Sequence, residues 1–143
     1  MSKQILLVLA VTGAVFCAGY WLGKERTAQA AAKKRVFELR TYTANEGKLE
    51  ALHARFRNHT ARLFEKHGMQ NIGYWSPMDS PLSQNTLVYI LAFPDRDAAK
   101  KSWDAFRGDP EWKKVQQESE IDGRLVSKVD SLFLEPADYS AIK

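Results

Sequence analysis

At 143 residues with a formal charge of +4, the chain can build one domain with a real core but not two. No basic face of the kind that grips a phosphate backbone is visible, so no nucleic-acid partner is expected. The only cysteine, Cys17, lies in an apolar segment, which leaves the rest of the chain without a disulfide, a thiol nucleophile or a cysteine metal site.

Residues 5–23 (ILLVLAVTGAVFCAGYWLG) carry no charge, and nineteen residues at about 1.5 Å each make roughly 28 Å of helix, close to the apolar thickness of a bilayer. Lys24-Glu25-Arg26 and the small-residue run around Ala28 and Ala30 follow. Residues 1–30 are therefore expected to be a signal peptide or an N-terminal hydrophobic helix that stays as a membrane anchor. Ala28-x-Ala30 suits a signal peptidase, whereas Tyr20 and Trp21 suit the interfacial belt of a retained span. The expected location is periplasmic or extracellular, or anchored at a membrane. Lys24, Arg26, Lys33, Lys34 and Arg35 behind the span, against Lys3 ahead of it, argue for the opposite orientation, so the side of the membrane stays open.

Residues 31–35 read as a linker, 36–138 as the folded domain and 139–143 as a tail. Val36 to Thr43 alternates with period two, which predicts a strand. A turn at Asn45-Glu46-Gly47 opens a helix whose apolar residues, Leu49, Leu52, Phe56, Leu63 and Phe64, recur at three-to-four spacing up to Gly68. Met69 to Trp75 predicts a second strand, and Asn85 to Phe93 a buried central one. Pro94-Asp95 starts a second helix that Gly108 stops; Asp109-Pro110 caps a further helical stretch to about Glu120. Arg124 to Glu135 alternates again.

The order is β-α-β-β-α-β, which predicts an α+β, ferredoxin-like four-stranded antiparallel sheet with two helices on one face. In the third strand both alternating sets, Val88-Ile90-Ala92 and Leu87-Tyr89-Leu91-Phe93, are apolar. The uncovered face thus needs a second layer, and a second copy of the chain is the expected one, giving a homodimer packed sheet against sheet.

Of the three histidines, His59 falls in the series Leu49, Leu52, Phe56, His59, Leu63 and is expected to face the sheet, either as a core histidine or as a proton acceptor in a cavity. His53 is off that series, and His67 is at the helix end. Glu38, Arg40 and Tyr42 share one face of the first strand, and Glu38 with Arg40 is expected to form a structural ion pair. Arg40, His59, Trp75 and Tyr89 are the candidate ligand contacts. No metal-ligand spacing, nucleophile elbow, phosphate loop or dinucleotide fingerprint occurs, so neither a metal nor a cofactor is expected.

Val36-Phe37-Glu38-Leu39-Arg40-Thr41-Tyr42, then Gly47, Leu49, His59 and Lys66-His67-Gly68, resemble the opening of NIPSNAP domains. Gly73-Tyr74-Trp75, Asn85 before Val88-Tyr89, and Asp109-Pro110-Glu111-Trp112 resemble that family's later signatures, with Phe37 where a tyrosine is more usual. The resemblance covers about Val36 to Pro136 and implies a dimeric α/β barrel without a firmly assigned reaction. Two functional readings follow. One is an exported or membrane-tethered homodimer that binds a small apolar ligand or a protein partner without catalysis. The other is a small cofactor-free, monooxygenase-like enzyme acting on an apolar or aromatic metabolite with His59 as base.

Overall fold

Two strands rich in β-branched and aromatic residues, β1 (Val36–Ala44) and β3 (Thr86–Phe93), pair antiparallel at the centre of a four-stranded sheet. β2 (Gln70–Trp75) pairs with β3, and β4 (Val126–Leu134) pairs with β1, both antiparallel, giving the order β2-β3-β1-β4. The helix between β1 and β2 has three parts: α1 (Leu49–Arg55), a π-helical turn (Phe56–Thr60) and α2 (Ala61–Lys66). Between β3 and β4 come α3 (Arg96–Gly108) and α4 (Pro110–Ser119). This is the βαββαβ order and antiparallel sheet expected from the sequence. The computed structural model describes residues 35–143, so the expected signal or anchor at residues 1–30 lies outside the described residues. Among the described residues no helix is long and apolar enough to cross a membrane.

Local chemistry sets the ends of these elements. The Asp95 carboxylate accepts a hydrogen bond from the Ala98 N–H at 2.7 Å and so caps α3. Asp109 does the same for the Glu111 N–H at 2.7 Å, with Pro110 at the first helical position of α4. Gly68, at φ +76°, supplies the left-handed residue after α2. The other Asp109 oxygen takes His67 Nε2 at 2.6 Å and Lys66 Nζ at 2.8 Å, which ties the end of α2 to the start of α4. Hydrogen bonds from Lys66 and then His67 hold the Asp109 carboxyl well below its usual range.

The core gathers around Tyr89 on β3. Its ring centroid lies 5.2 Å from that of Phe56, 5.3 Å from Tyr42, 5.5 Å from Tyr74 and 5.9 Å from Phe64. The chain of rings then runs outward, from Phe64 to Phe106 at 5.0 Å and from Phe106 to Trp112 at 4.5 Å, so that α3 and α4 share one core with α1 and the sheet.

One expectation fails on geometry. His59 is exposed, and Thr60 beside it is only 1% exposed and takes the place on the apolar series. Counting 100° per residue assumes an unbroken α-helix. Across Phe56–Thr60 the chain fits one extra residue into the turn, with the Ala61 N–H reaching the Phe56 carbonyl five residues back. The Thr60 hydroxyl donates to the Arg55 carbonyl at 3.3 Å, also five residues back. The inserted residue delays the phase of the helix, which turns Thr60 inward and His59 out to solvent.

Glu38 is 2% exposed and faces the helices, not the uncovered side of the sheet. Its carboxylate accepts from Trp103 Nε1 on α3, from Ser131 Oγ on β4 and from Arg40 Nη1, each at 2.6 Å. Arg40 in turn lies 4.2 Å over the Trp103 ring. A single carboxylate therefore holds α3 against the two strands β1 and β4.

The other face of the sheet carries Phe37, Leu39, Val88, Ile90 and Ala92, with Leu132 57% and Leu134 37% exposed. Trp75, half exposed, folds back over Gly73; a Cβ there would stand 2.7 Å from the indole ring, so a larger residue would displace the indole. Residues 136–142 cross one end of this face, with Tyr139 and Ile142 beside Phe37, Ile72 and Ile90.

Two pairs of substitutions test these assignments by denaturant unfolding. His59→Lys is expected to change stability by no more than about 0.5 kcal/mol, as on an open surface. Thr60→Lys places an unpaired charge in a closed layer and is expected to cost roughly 3 kcal/mol or more. Equal effects would contradict the π turn. Glu38→Ala is expected to cost about 3–5 kcal/mol by orphaning Arg40, and adding Arg40→Met is expected to recover part of that loss.

Candidate ligand pocket

A pocket of about 230 Å³ opens between the helices and the β4 half of the sheet. Its floor is aromatic, with Tyr42 from β1, Phe56 from the π turn, Phe64 from α2, Phe106 from α3 and Trp112 from α4. Its polar wall comes from Arg55, Gln116, Glu120, Arg124, Ser127 and Lys128. An apolar floor with a few polar groups at one side is the ordinary chemistry of a small-molecule site.

Arg55 is the central polar residue. It lies one residue before the π turn, on the same helical side as Leu52 and Phe56, and its side chain is 4% exposed. Nη1 donates to Glu120 Oε1 at 3.0 Å and to Ser119 Oγ at 3.3 Å, both at the end of α4. The guanidinium also lies 5.3 Å from the Trp112 ring centroid. Glu120 Oε1 additionally accepts the Leu125 N–H at 3.4 Å, which links the pair to the approach to β4. The Arg55 Nε–H is buried with no hydrogen-bond partner. Arg40 Nε and the Tyr89 hydroxyl are buried in the same unpartnered way, so the feature is shared with the core and what sets Arg55 apart is its place on the pocket wall.

Charge around the pocket is unbalanced. Arg55 is neutralised by Glu120, and Lys128 by Asp130 at 2.8 Å. Arg124, on the same wall, makes no side-chain ion pair among the described residues. The site thus carries one uncompensated positive charge above an aromatic floor.

The candidate contacts read from the sequence do not converge. Tyr89 is fully buried beneath the aromatic floor, and burial pushes its hydroxyl well above the usual phenol range. Arg40 lies with Glu38 and Trp103, outside this pocket. Trp75 is on the opposite face of the sheet, over Gly73. His59 lines a separate shallow groove between α1 and α4, with Ala54, Asn58 and Glu118, and is no part of the aromatic pocket. His53 is half-buried with Nε2 3.1 Å from Ser76 Oγ. His67, at its helix end, is bonded to Asp109.

Arg55, Trp112, Glu120 and Arg124 were not among the sequence candidates. Arg55 had a local signal, since it stands three residues after Leu52 and next to Phe56 on the apolar side of its helix. Its partner Glu120 is 65 residues away, and no spacing rule joins them. Among the described residues no group of three or more His, Cys, Asp or Glu side chains could hold a metal ion.

Comparison with known proteins places this architecture. The family model NIPSNAP matches residues 37–141. A NIPSNAP family protein of unknown function from Agrobacterium tumefaciens superposes with a TM-score of 0.67 at 21% identity, covering 78% of this chain and 96% of that one. An uncharacterized NIPSNAP-like domain protein from Burkholderia xenovorans gives 0.66 at 18% identity, covering 76% and 90%. SnoaB, a cofactor-independent oxygenase from Streptomyces nogalater, is similar in fold, with a TM-score of 0.51 at 14% identity and coverage of 77% and 99%. No curated protein sequence matches this chain. With the family model spanning nearly all of the described residues, the chain belongs to the NIPSNAP family.

Proposed function

We propose that this chain is a homodimeric, ligand-binding NIPSNAP domain, exported across a membrane or tethered to it through residues 1–30. The observation that carries the binding role is the pocket itself, an aromatic floor beside a polar wall that includes the buried Arg55 and Arg124, unpaired among the described residues. A protein partner remains the alternative occupant of the role, and the open sheet face would be its seat.

Dimerisation is supported by the uncovered apolar face, where Leu132, Leu134 and Trp75 are exposed on one sheet surface. Exposed apolar side chains grouped on one sheet face are a pattern that association relieves. Export or tethering is supported by the charge-free run at residues 5–23 and the Ala28-x-Ala30 site behind it.

A second reading, cofactor-independent chemistry on an aromatic metabolite, has the fold likeness to SnoaB in its favour. It would need a base other than His59, and the one carboxylate on the pocket lining, Glu120, is already paired with Arg55. Binding without catalysis is the better fit to these residues.

Titration of the full chain with indole, followed by chemical shifts, is expected to move Tyr42, Thr60, Trp112 and Gln116 saturably; shifts confined to other residues would overturn the pocket. In sedimentation equilibrium in mild detergent the full chain is expected to be a dimer, and Leu132→Lys, at an exposed position, a monomer. A monomeric wild type at micromolar concentration would contradict the dimer. Fusing residues 1–35 to a reporter active only outside the cytoplasm is expected to give activity, and a silent fusion would overturn export.

A further inference from the structure

The wall of this pocket has a polarity, and it selects among ligands. From it we infer that the ligand is a small organic monoanion, an aromatic or similarly flat carboxylic acid, bound with its ring on the floor and its carboxylate between Arg55 and Arg124. The inference rests on the pocket being a binding site and goes on to name the class of molecule it takes.

Three observations combine. The Arg55 side chain is more than nine-tenths buried on the pocket wall, with Nη1 engaged by Glu120 and Ser119 and Nε, like that of Arg40, without an acceptor. A guanidinium presents its donors in a rigid fork, so a carboxylate beside Arg55 is met from a defined direction and not by a loose cloud of charge. Arg124 supplies a positive charge on the same wall that no described carboxylate offsets, whereas Arg55 and Lys128 are each balanced by Glu120 and Asp130. One free positive charge matches one negative charge on the ligand. A dianion such as a phosphate monoester would leave a negative charge beside Glu120, and a cation would meet Arg124.

The floor decides the rest of the molecule. Phe56, Phe64, Phe106 and Trp112 present ring faces and edges, with Trp112 already tilted 33° against Phe106 at 4.5 Å. Such surfaces favour a flat apolar body over a sugar or a flexible polar chain. A volume of about 230 Å³ falls below the range of drug-sized ligands, which points to a body of one or two rings.

The test compares two isosteric probes on the full chain by isothermal titration. Phenylacetate carries the carboxylate, and phenylacetamide keeps the ring and shape without the charge. Phenylacetate is expected to bind about tenfold or more tightly than the amide, the difference a charge-assisted hydrogen bond makes. Arg124→Gln, on an exposed side chain, is expected to remove most of that preference. Arg55→Lys, which keeps the charge but loses the fork, is expected to weaken phenylacetate selectively. Its fold is checked by the unchanged chemical shifts of Tyr89 and Trp103. If amide and acid bind the pocket equally, or if Arg124→Gln leaves the preference intact, the anion assignment is wrong while the pocket stands. If neither probe shifts pocket resonances at millimolar concentration, the pocket reading falls as well.

Discussion

The arrangement of this domain depends on one irregular turn. By fitting one extra residue between Phe56 and Thr60, the first helix changes phase midway, and the change decides which polar side chains meet the sheet layer. Before the turn, Leu52, Arg55 and Phe56 point inward; after it, Thr60, Leu63 and Phe64 do. A regular helix would bring His59 inward in place of Thr60. The turn also leaves the Arg55 carbonyl to the Thr60 hydroxyl, so its backbone groups are met locally at the point where the pocket opens. Asn58 and Thr60 are weak helix formers, which lowers the cost of departing from the regular pattern there.

Two ion pairs reach into the interior, Glu38–Arg40 and Arg55–Glu120. Around Glu38 the carboxylate is saturated by Trp103, Ser131 and Arg40, and the cluster works as a rivet between α3 and the sheet. Around Arg55, Glu120 and Ser119 take one end of the guanidinium; Nε has no partner, and neither does Nε of Arg40 in the Glu38 cluster. What distinguishes the two is position: Arg55 lies on the wall of the aromatic-floored pocket, and Arg40 lies outside it, over Trp103.

Much of the fold could be read along the chain. Gly68, Asp95 and Asp109-Pro110 mark helix ends by local rules that need no knowledge of the rest of the molecule. The two-sided apolarity of β3 likewise marked it as central, and it pairs with both β1 and β2. The candidate site was much less legible. Phase counting misplaced His59 because periodicity carries no sign of an inserted residue. Tyr89 and Arg40, two of the candidate ligand contacts, lie respectively in the aromatic core and in the Glu38–Trp103 cluster, a distinction that strand alternation does not make. The Arg55–Glu120 pair joins two helices from different halves of the chain, and only the fold brings them within 3.0 Å.

Since the phase of the first helix underlies both the pocket and the exposure of His59, the most direct measurement is of its backbone hydrogen bonds. Through-bond NMR couplings between amide nitrogens and carbonyl carbons report which carbonyl each N–H reaches. A coupling from Ala61 N to the Phe56 carbonyl carbon is expected, five residues back. A coupling from Ala61 N to the Arg57 carbonyl carbon instead, four residues back, would make the helix regular, return His59 to the apolar side and take Thr60 off the pocket lining.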